Sequence, residues 1–146
     1  MPSKLHFHLI IADAAQAIDF YKKVFDAREL SRYADPKLGG LIVCAELAIG
    51  DQVFSIAGEH REWHNHAPTS LGGSPVILNL EVPDVDALGA RLEAEGATVV
   101  YPITDQFYGE RSGRFRDPFG HLWLITTKIK EMTPAQIQAG VDAFES

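Results

Sequence analysis

The alternation of apolar and polar residues predicts the same series of elements twice along the chain. In the first half, residues 5–11 alternate with a period of two, as a strand with one buried face does. Asp13 then stands where a helix N-cap belongs, and apolar residues at helical spacing follow it as far as Phe25. Three short strands are predicted after this helix, at residues 29–33, 41–48 and 53–57.

The second half repeats this order of elements. Residues 76–82 alternate, and a helix is predicted from Asp84 to about Glu95, with Gly96 as its C-terminal cap. The strand candidates that follow are residues 98–101, 113–116 and 121–127. A last helix is predicted over Pro134–Phe144, because Thr133 is a good N-cap and proline suits the first helical position.

Each half therefore has the order β-α-β-β-β, which predicts an α+β fold made of two βαβββ modules. We expect curved mixed sheets with the helices outside and a cavity between the uncovered faces. The whole chain, 1–146, is interpreted as a single domain. Its segments are a first module at 4–58, a linker loop at 59–74, a second module at 75–128 and a C-terminal helix at 132–145.

Composition narrows the classes of function. The 146 residues are 46% hydrophobic and 23% charged, which is ordinary for one globular domain. A net charge of −7 disfavours binding to phosphate backbones, so we expect no nucleic-acid partner. No apolar run approaches the roughly 20 residues of a membrane span, and the first residues lack a signal-peptide pattern. With its one cysteine, Cys44, the protein is expected to be cytoplasmic.

Six stretches carry a family resemblance. They are Asp13-Ala-Ala-Gln-Ala-Ile-Asp-Phe-Tyr-Lys-Lys-Val-Phe, Asp117-Pro-Phe-Gly-His-Leu-Trp, Ala45-Glu-Leu-Ala-Ile-Gly-Asp, Ser70-Leu-Gly-Gly-Ser-Pro-Val, Tyr108-Gly-Glu-Arg-Ser-Gly and Met132-Thr-Pro-Ala-Gln-Ile. Together with the repeated βαβββ order, they make the chain resemble the vicinal oxygen chelate superfamily, and within it the PhnB-like glyoxalase-related proteins. That superfamily contains glyoxalase I, extradiol dioxygenases, and bleomycin and fosfomycin resistance proteins. The resemblance implies the glyoxalase/bleomycin resistance fold and a homodimer.

The resemblance also implies four metal-ligand positions, which fall on His6, Ser55, Ile77 and Leu124. Of these residues only His6 binds a divalent transition metal well at neutral pH, and such sites need three or more N, O or S donors. We therefore expect no metal cofactor at this position. A divalent metal at a displaced site stays open as an alternative, held by His6, His8 and a loop histidine, namely one of His60, His64 and His66.

Three residues of the first module and the linker are candidates for a binding or catalytic role. His6 and His8 lie two residues apart and so share a face, either as a proton-accepting pair or as hydrogen-bonded strand histidines. Trp63 in the linker is interpreted either as a lid over a bound ligand or as a plug between modules.

The second module contributes most of the remaining candidates. Tyr108, Glu110 and Arg111 are predicted to lie in a loop bordering the cavity, where Glu110 and Arg111 either select the ligand or pair with each other. The predicted ligand-binding set is completed by strand residues on the uncovered faces: Ser55, Ile77, Asn79, Leu122 and Leu124.

Two classes of function remain open. The first is a protein that binds a mostly apolar or aromatic small molecule without the usual metal, as the antibiotic-resistance branch of the resemblance implies. The second is a lyase, isomerase or dioxygenase-type enzyme that uses a displaced metal or a His6 or His8 base.

Overall fold

The computed structural model describes residues 1–144. The chain forms two compact units. The first unit holds residues 1–75 together with 119–121, and the second holds residues 76–118 and the chain from 122 onward.

The first unit contains a four-stranded mixed sheet with one long helix. Its strands follow the order β1-β4-β3-β2, with β1 parallel to β4 and the other neighbours antiparallel. The elements are β1 (His8–Ile11), α1 (Ala14–Phe25), β2 (Arg28–Asp35), β3 (Leu41–Ile49) and β4 (Gln52–Gly58), followed by the single-turn helix α2 (Pro68–Leu71). Turns of 3-10 helix lie at Pro36–Leu38 and Arg61–Trp63.

Helix α1 covers one face of this sheet. Asp13 caps it by accepting a hydrogen bond from the Gln16 backbone amide (3.1 Å), which satisfies one of the free N–H groups of the first turn. The buried face of the helix carries Tyr21, whose ring packs edge-on against Phe54 of β4 at 6.1 Å. Residues 119–121 close the same core, because Phe119 packs against Tyr21 at 6.2 Å. The opposite face of the sheet is left without a helix from this unit.

The second unit repeats the topology. Its sheet has the order β5-β8-β7-β6, again with one parallel pair, β5 and β8. The elements are β5 (Ile77–Glu81), α3 (Val85–Ala94), β6 (Thr98–Asp105), β7 (Glu110–Arg116), β8 (Leu122–Lys128) and α4 (Pro134–Ala143). The prediction of an α+β fold built from two βαβββ modules is thus confirmed. Along residues 1–144, no helix is both long and apolar enough to cross a membrane.

Helix α3 packs against one face of the second sheet. Its Gly89 permits a close approach, since a Cβ there would lie 2.5 Å from Ile103 Cδ1. Trp123 of β8 is buried under this helix, and its Nε1 donates a hydrogen bond to the buried Asp117 carboxylate at 2.9 Å. Successive side chains of a strand point to opposite faces. The neighbours of Trp123 in β8, and the β7 residues paired with those neighbours, therefore lie on the uncovered face of this sheet.

The observed boundaries correct two predictions. Residues 110 and 111 were predicted to lie in a loop, but β7 begins at Glu110 because it pairs with Lys128 at the end of β8. The first strand is shorter than predicted, since β1 begins at His8 and His6 precedes it. The C-terminal helix ends at Ala143, and the predicted end of its segment at residue 145 lies outside the described residues.

Candidate functional site

A row of polar side chains crosses the uncovered face of the first sheet. Strand register aligns His8 with Ser55, Ser55 with Glu46, and Glu46 with Ser31, one residue from each strand. His8 Nδ1 and Ser55 Oγ form a hydrogen bond of 2.5 Å, and Ser31 Oγ donates to Glu46 Oε1 at 3.3 Å. His8 and Ser55, which were both predicted to be site residues, are thus adjacent and hydrogen bond to each other.

The other histidine candidates lie apart from this row. His6 is exposed, and its Nδ1 hydrogen bonds to the Val53 carbonyl at 2.9 Å. In the linker, Trp63 is 49% exposed and stacks on His60 with the ring centroids 4.1 Å apart. Within residues 1–144, no three His, Cys, Asp or Glu side chains lie close enough together to hold a metal ion.

The uncovered face of the second sheet carries a mixed row. Asn79 is aligned with Leu124, Leu124 with Arg114, and Arg114 with Tyr101. Asn79 is exposed, while Leu124 and Arg114 are partly buried. Ile77 and Leu122 pair with each other one step along the same face. The strand register thus places Ile77, Asn79, Leu122 and Leu124 on one face of the sheet, as the alternation in the sequence predicted.

A cleft opens over β6, β7 and β8 on this face. Its volume is about 350 Å³. We call it the β6–β8 cleft, and its lining consists of Tyr101, Pro102, Thr104, Gln106, Tyr108, Ser112, Gly113, Arg114 and Leu124. Of the residues predicted to bind a ligand, Tyr108 and Leu124 line it. The remaining second-module candidates, Ile77, Asn79, Glu110, Arg111 and Leu122, do not.

Arg111 is held away from the cleft by two carboxylates. Its Nε and Nη2 donate to the two oxygens of Asp86 at 3.0 and 2.9 Å, and its Nη1 donates to Asp105 at 3.0 Å. The hydrogen bond from Arg111 lowers the pKa of Asp86, and the same contact raises the pKa of Arg111. The alternative that Arg111 pairs with Glu110 is therefore wrong, and Arg111 does not line the β6–β8 cleft. Glu110 instead accepts a hydrogen bond from Thr126 Oγ1 at 3.2 Å.

Arg114 and Tyr101 were missed in the sequence. The Arg114 guanidinium carbon lies 5.1 Å from the centroid of the Tyr101 ring, a cation–π distance. The Nε atom of Arg114 is buried and has no hydrogen-bond partner among the described residues. The signal for Arg114 was available, since a hairpin across Asp117–Gly120 aligns Arg114 with Leu124, which was already predicted to face the ligand.

One wall of the cleft is supported by the C-terminal helix. Tyr108 packs edge-on against Phe107 with centroids 5.3 Å apart, and Phe107 in turn packs against Phe144 at 5.8 Å. Gly140 of α4 leaves room for the Phe107 ring, because a Cβ at this position would meet it. Tyr108 is thus positioned through Phe107 by α4.

This repeated βαβββ architecture, with its two four-stranded mixed sheets, is the glyoxalase-like fold. The chain belongs to the Glyoxalase/Bleomycin resistance protein/Dioxygenase superfamily, whose model matches residues 5–125. It is 42% identical over 143 residues to the uncharacterized protein Rv0887c of Mycobacterium tuberculosis (strain ATCC 25618 / H37Rv), covering 93% of this chain and 81% of that protein.

Two solved structures are also similar. TioX from Micromonospora sp. ML1 shares 30% identity and a TM-score of 0.65, over 90% of this chain and 100% of that one. The fosfomycin resistance protein FosX from Listeria monocytogenes, complexed with Mn(II) and sulfate, has a TM-score of 0.69 over 94% of this chain and 99% of that one. At 19% identity, the second likeness shows the fold alone.

The residues at the four metal-ligand positions implied by the family do not form a donor set. His6 is bonded to a backbone carbonyl and Ser55 to His8, while Ile77 and Leu124 have no ligating atom. Transition-metal sites in proteins need three or more N, O or S ligands. These residues therefore do not fit a divalent metal ion.

Proposed function

We propose that this protein binds a small organic molecule with an aromatic or apolar body, and that the β6–β8 cleft is the binding site. The observation that carries the proposal is the cleft itself. Its volume of about 350 Å³ falls in the range of small-molecule pockets, which is roughly 300–1,000 Å³.

The lining of the cleft supports this ligand chemistry. Tyr101, Pro102, Tyr108 and Leu124 offer apolar or aromatic surface, and the lining also contains the polar side chains of Thr104, Gln106, Ser112 and Arg114. Such a lining stabilises a flat apolar body by burial and ring contacts, while single polar groups fix its orientation. Tyr101 is 60% exposed, so its ring surface is free to gain contacts when a ligand binds.

The proposal does not use the metal chemistry of the family. FosX from Listeria monocytogenes was crystallised with Mn(II), whereas the corresponding positions of this chain supply no matching donor set. Its binding function is therefore proposed to rest on Tyr101, Tyr108, Leu124 and Arg114. This matches the binding-protein alternative of the sequence analysis more closely than the enzyme alternative.

A blocking variant tests the site. Thr104 is an exposed cleft residue on β6, so Thr104→Trp fills the cleft without disturbing a buried position. Thr98→Trp is the matched control, because Thr98 is also exposed and faces the same side of β6 but does not line the cleft. Naphthamide and a panel of other aromatic compounds would be screened by thermal shift on the three proteins.

We expect at least one aromatic compound to raise the melting temperature of wild type and of Thr98→Trp. At a concentration about a hundredfold above Kd, binding adds about 2.7 kcal/mol, which corresponds to a rise of several degrees. The rise should be absent in Thr104→Trp. No binder in the panel, or equal shifts in all three proteins, would overturn the proposed site.

A further inference from the structure

The three arginines of β7 are in different electrostatic situations. Arg111 is fully occupied by the carboxylates of Asp86 and Asp105. Arg116 is exposed at the end of the strand and lies outside the cleft. Arg114 lines the cleft, is partly buried, and forms no ion pair with any residue between 1 and 144.

A partly buried guanidinium without a counter-ion is costly, because burial removes water from a charge that no carboxylate compensates. Its recorded contact is the cation–π interaction with Tyr101, which uses the face of the group and leaves its N–H donors free. The unpartnered Nε means that the side chain can turn toward a ligand without breaking a hydrogen bond at that atom. In the same strand, Glu110 is engaged by Thr126 and does not line the cleft.

We infer that the ligand is an organic acid in which one carboxylate binds the Arg114 guanidinium and an aromatic or apolar body lies along Tyr101, Tyr108 and Leu124. This inference rests on the proposed function and specifies its ligand class.

The count of charges favours a single carboxylate. Arg114 is the one cationic side chain among the lining residues, and the other polar side chains there are the neutral Thr104, Gln106 and Ser112. One fixed positive charge balances one negative charge, and a planar carboxylate matches the fork of guanidinium donors with two parallel hydrogen bonds. A group with two or more negative charges would leave charge uncompensated in a partly buried site.

Three probes that differ in one substituent test the ligand class. Naphthoate, naphthamide and naphthylmethylammonium share the same ring system but carry a negative, a neutral and a positive group. Each would be titrated by calorimetry into wild type, into Arg114→Gln, and into Arg116→Gln. The last variant removes one positive charge from the same face of the same strand and is therefore the matched control.

We expect wild type to bind naphthoate about tenfold to a hundredfold more tightly than naphthamide, as a charge-assisted pair implies. Naphthylmethylammonium should bind most weakly. Arg114→Gln should abolish the preference, so that naphthoate and naphthamide bind this variant with similar affinities. Arg116→Gln should keep the preference.

A measurement on wild type keeps the test valid even if Arg114→Gln does not fold. Added NaCl should weaken naphthoate binding and leave naphthamide binding unchanged, because salt screens only the charged pair. If naphthamide binds wild type as tightly as naphthoate does, or if Arg114→Gln retains the preference, the inference is wrong while the proposed function stands. If none of the three probes binds wild type, the inference is wrong, while the proposed function fails only if no aromatic compound of the thermal-shift panel binds either.

Discussion

Glu29 is predicted to stabilise the first unit in a pH-dependent way. Its carboxylate accepts hydrogen bonds from Arg32 Nε at 2.7 Å and from Lys22 Nζ at 2.7 Å. The Arg32 contact, followed by the Lys22 contact, lowers the pKa of Glu29 from the usual 4.5 to about 2. The perturbation we consider is Glu29→Gln, which removes the charge and preserves the shape of the side chain.

The size of the effect follows from this pKa and from solvent exposure. The difference between 4.5 and about 2 corresponds to at most about 3.4 kcal/mol, at about 1.36 kcal/mol per pH unit. The side chains of Lys22 and Arg32 are 40% and 36% exposed, so water screens both pairs and the expected contribution is about 1 kcal/mol. Because the folded-state pKa is the lower one, this contribution is complete above pH 4.5 and is lost as pH falls toward about 2.

Urea unfolding followed by circular dichroism measures this contribution. Glu29→Gln should lower the free energy of unfolding by about 1 kcal/mol at neutral pH, and the difference from wild type should shrink as the pH falls below 4.5. Glu62→Gln serves as the control, since Glu62 is exposed and has no ion pair among the described residues. A difference that is absent at neutral pH, or that stays constant down to about pH 2, would refute the reasoning.

Three further predictions concern the second unit and assembly. Gly109→Ala should destabilise by roughly 1–3 kcal/mol in urea unfolding, because Gly109 has φ +89° and an added Cβ would meet the Lys130 carbonyl oxygen. Gly50→Ala, at φ +57° with open space around it, should cost less, and equal losses would argue against the clash. Phe107→Ala should weaken naphthamide binding but lower the melting temperature only slightly, because Phe107 is 40% exposed yet supports Tyr108. An unchanged affinity for naphthamide would contradict this prediction. We also expect a homodimer, since edge strand β2 exposes apolar side chains that a second copy would cover; a monomer by light scattering at micromolar concentration would be the contrary result.

The helices and strands could be predicted because their signals are local. Helix α1 has a capping aspartate at Asp13 and buried residues at helical spacing, among them Ile18, Tyr21 and Phe25, and the predicted bounds coincide with the observed ones. The N-cap of α4 was predicted in the same way, since the Thr133 side chain accepts a hydrogen bond from the Gln136 backbone amide. In each case the determining contacts lie within four residues along the chain.

The site was harder to predict because its contacts are long-range. Arg111 is separated from its partner Asp86 by 25 residues, and no local pattern indicates that pairing. Arg114 resembles an ordinary solvated strand residue in the sequence. What distinguishes it is the lack of an ion pair in a cleft wall, which becomes visible only when all neighbouring strands are in place.

The way α4 holds Tyr108 couples the end of the chain to the cleft. None of the residues of α4, Pro134–Ala143, is buried, so we expect the helix to detach at a smaller cost in free energy than the buried helices α1 and α3. Each detachment withdraws the support that Phe144 and Gly140 give to Phe107. By thermodynamic linkage, a ligand that binds against Tyr108 as proposed would favour the docked position of α4, and a docked α4 would in turn strengthen binding of that ligand. If the cleft binds a ligand as proposed, α4 is therefore expected to influence the affinity without contacting the ligand.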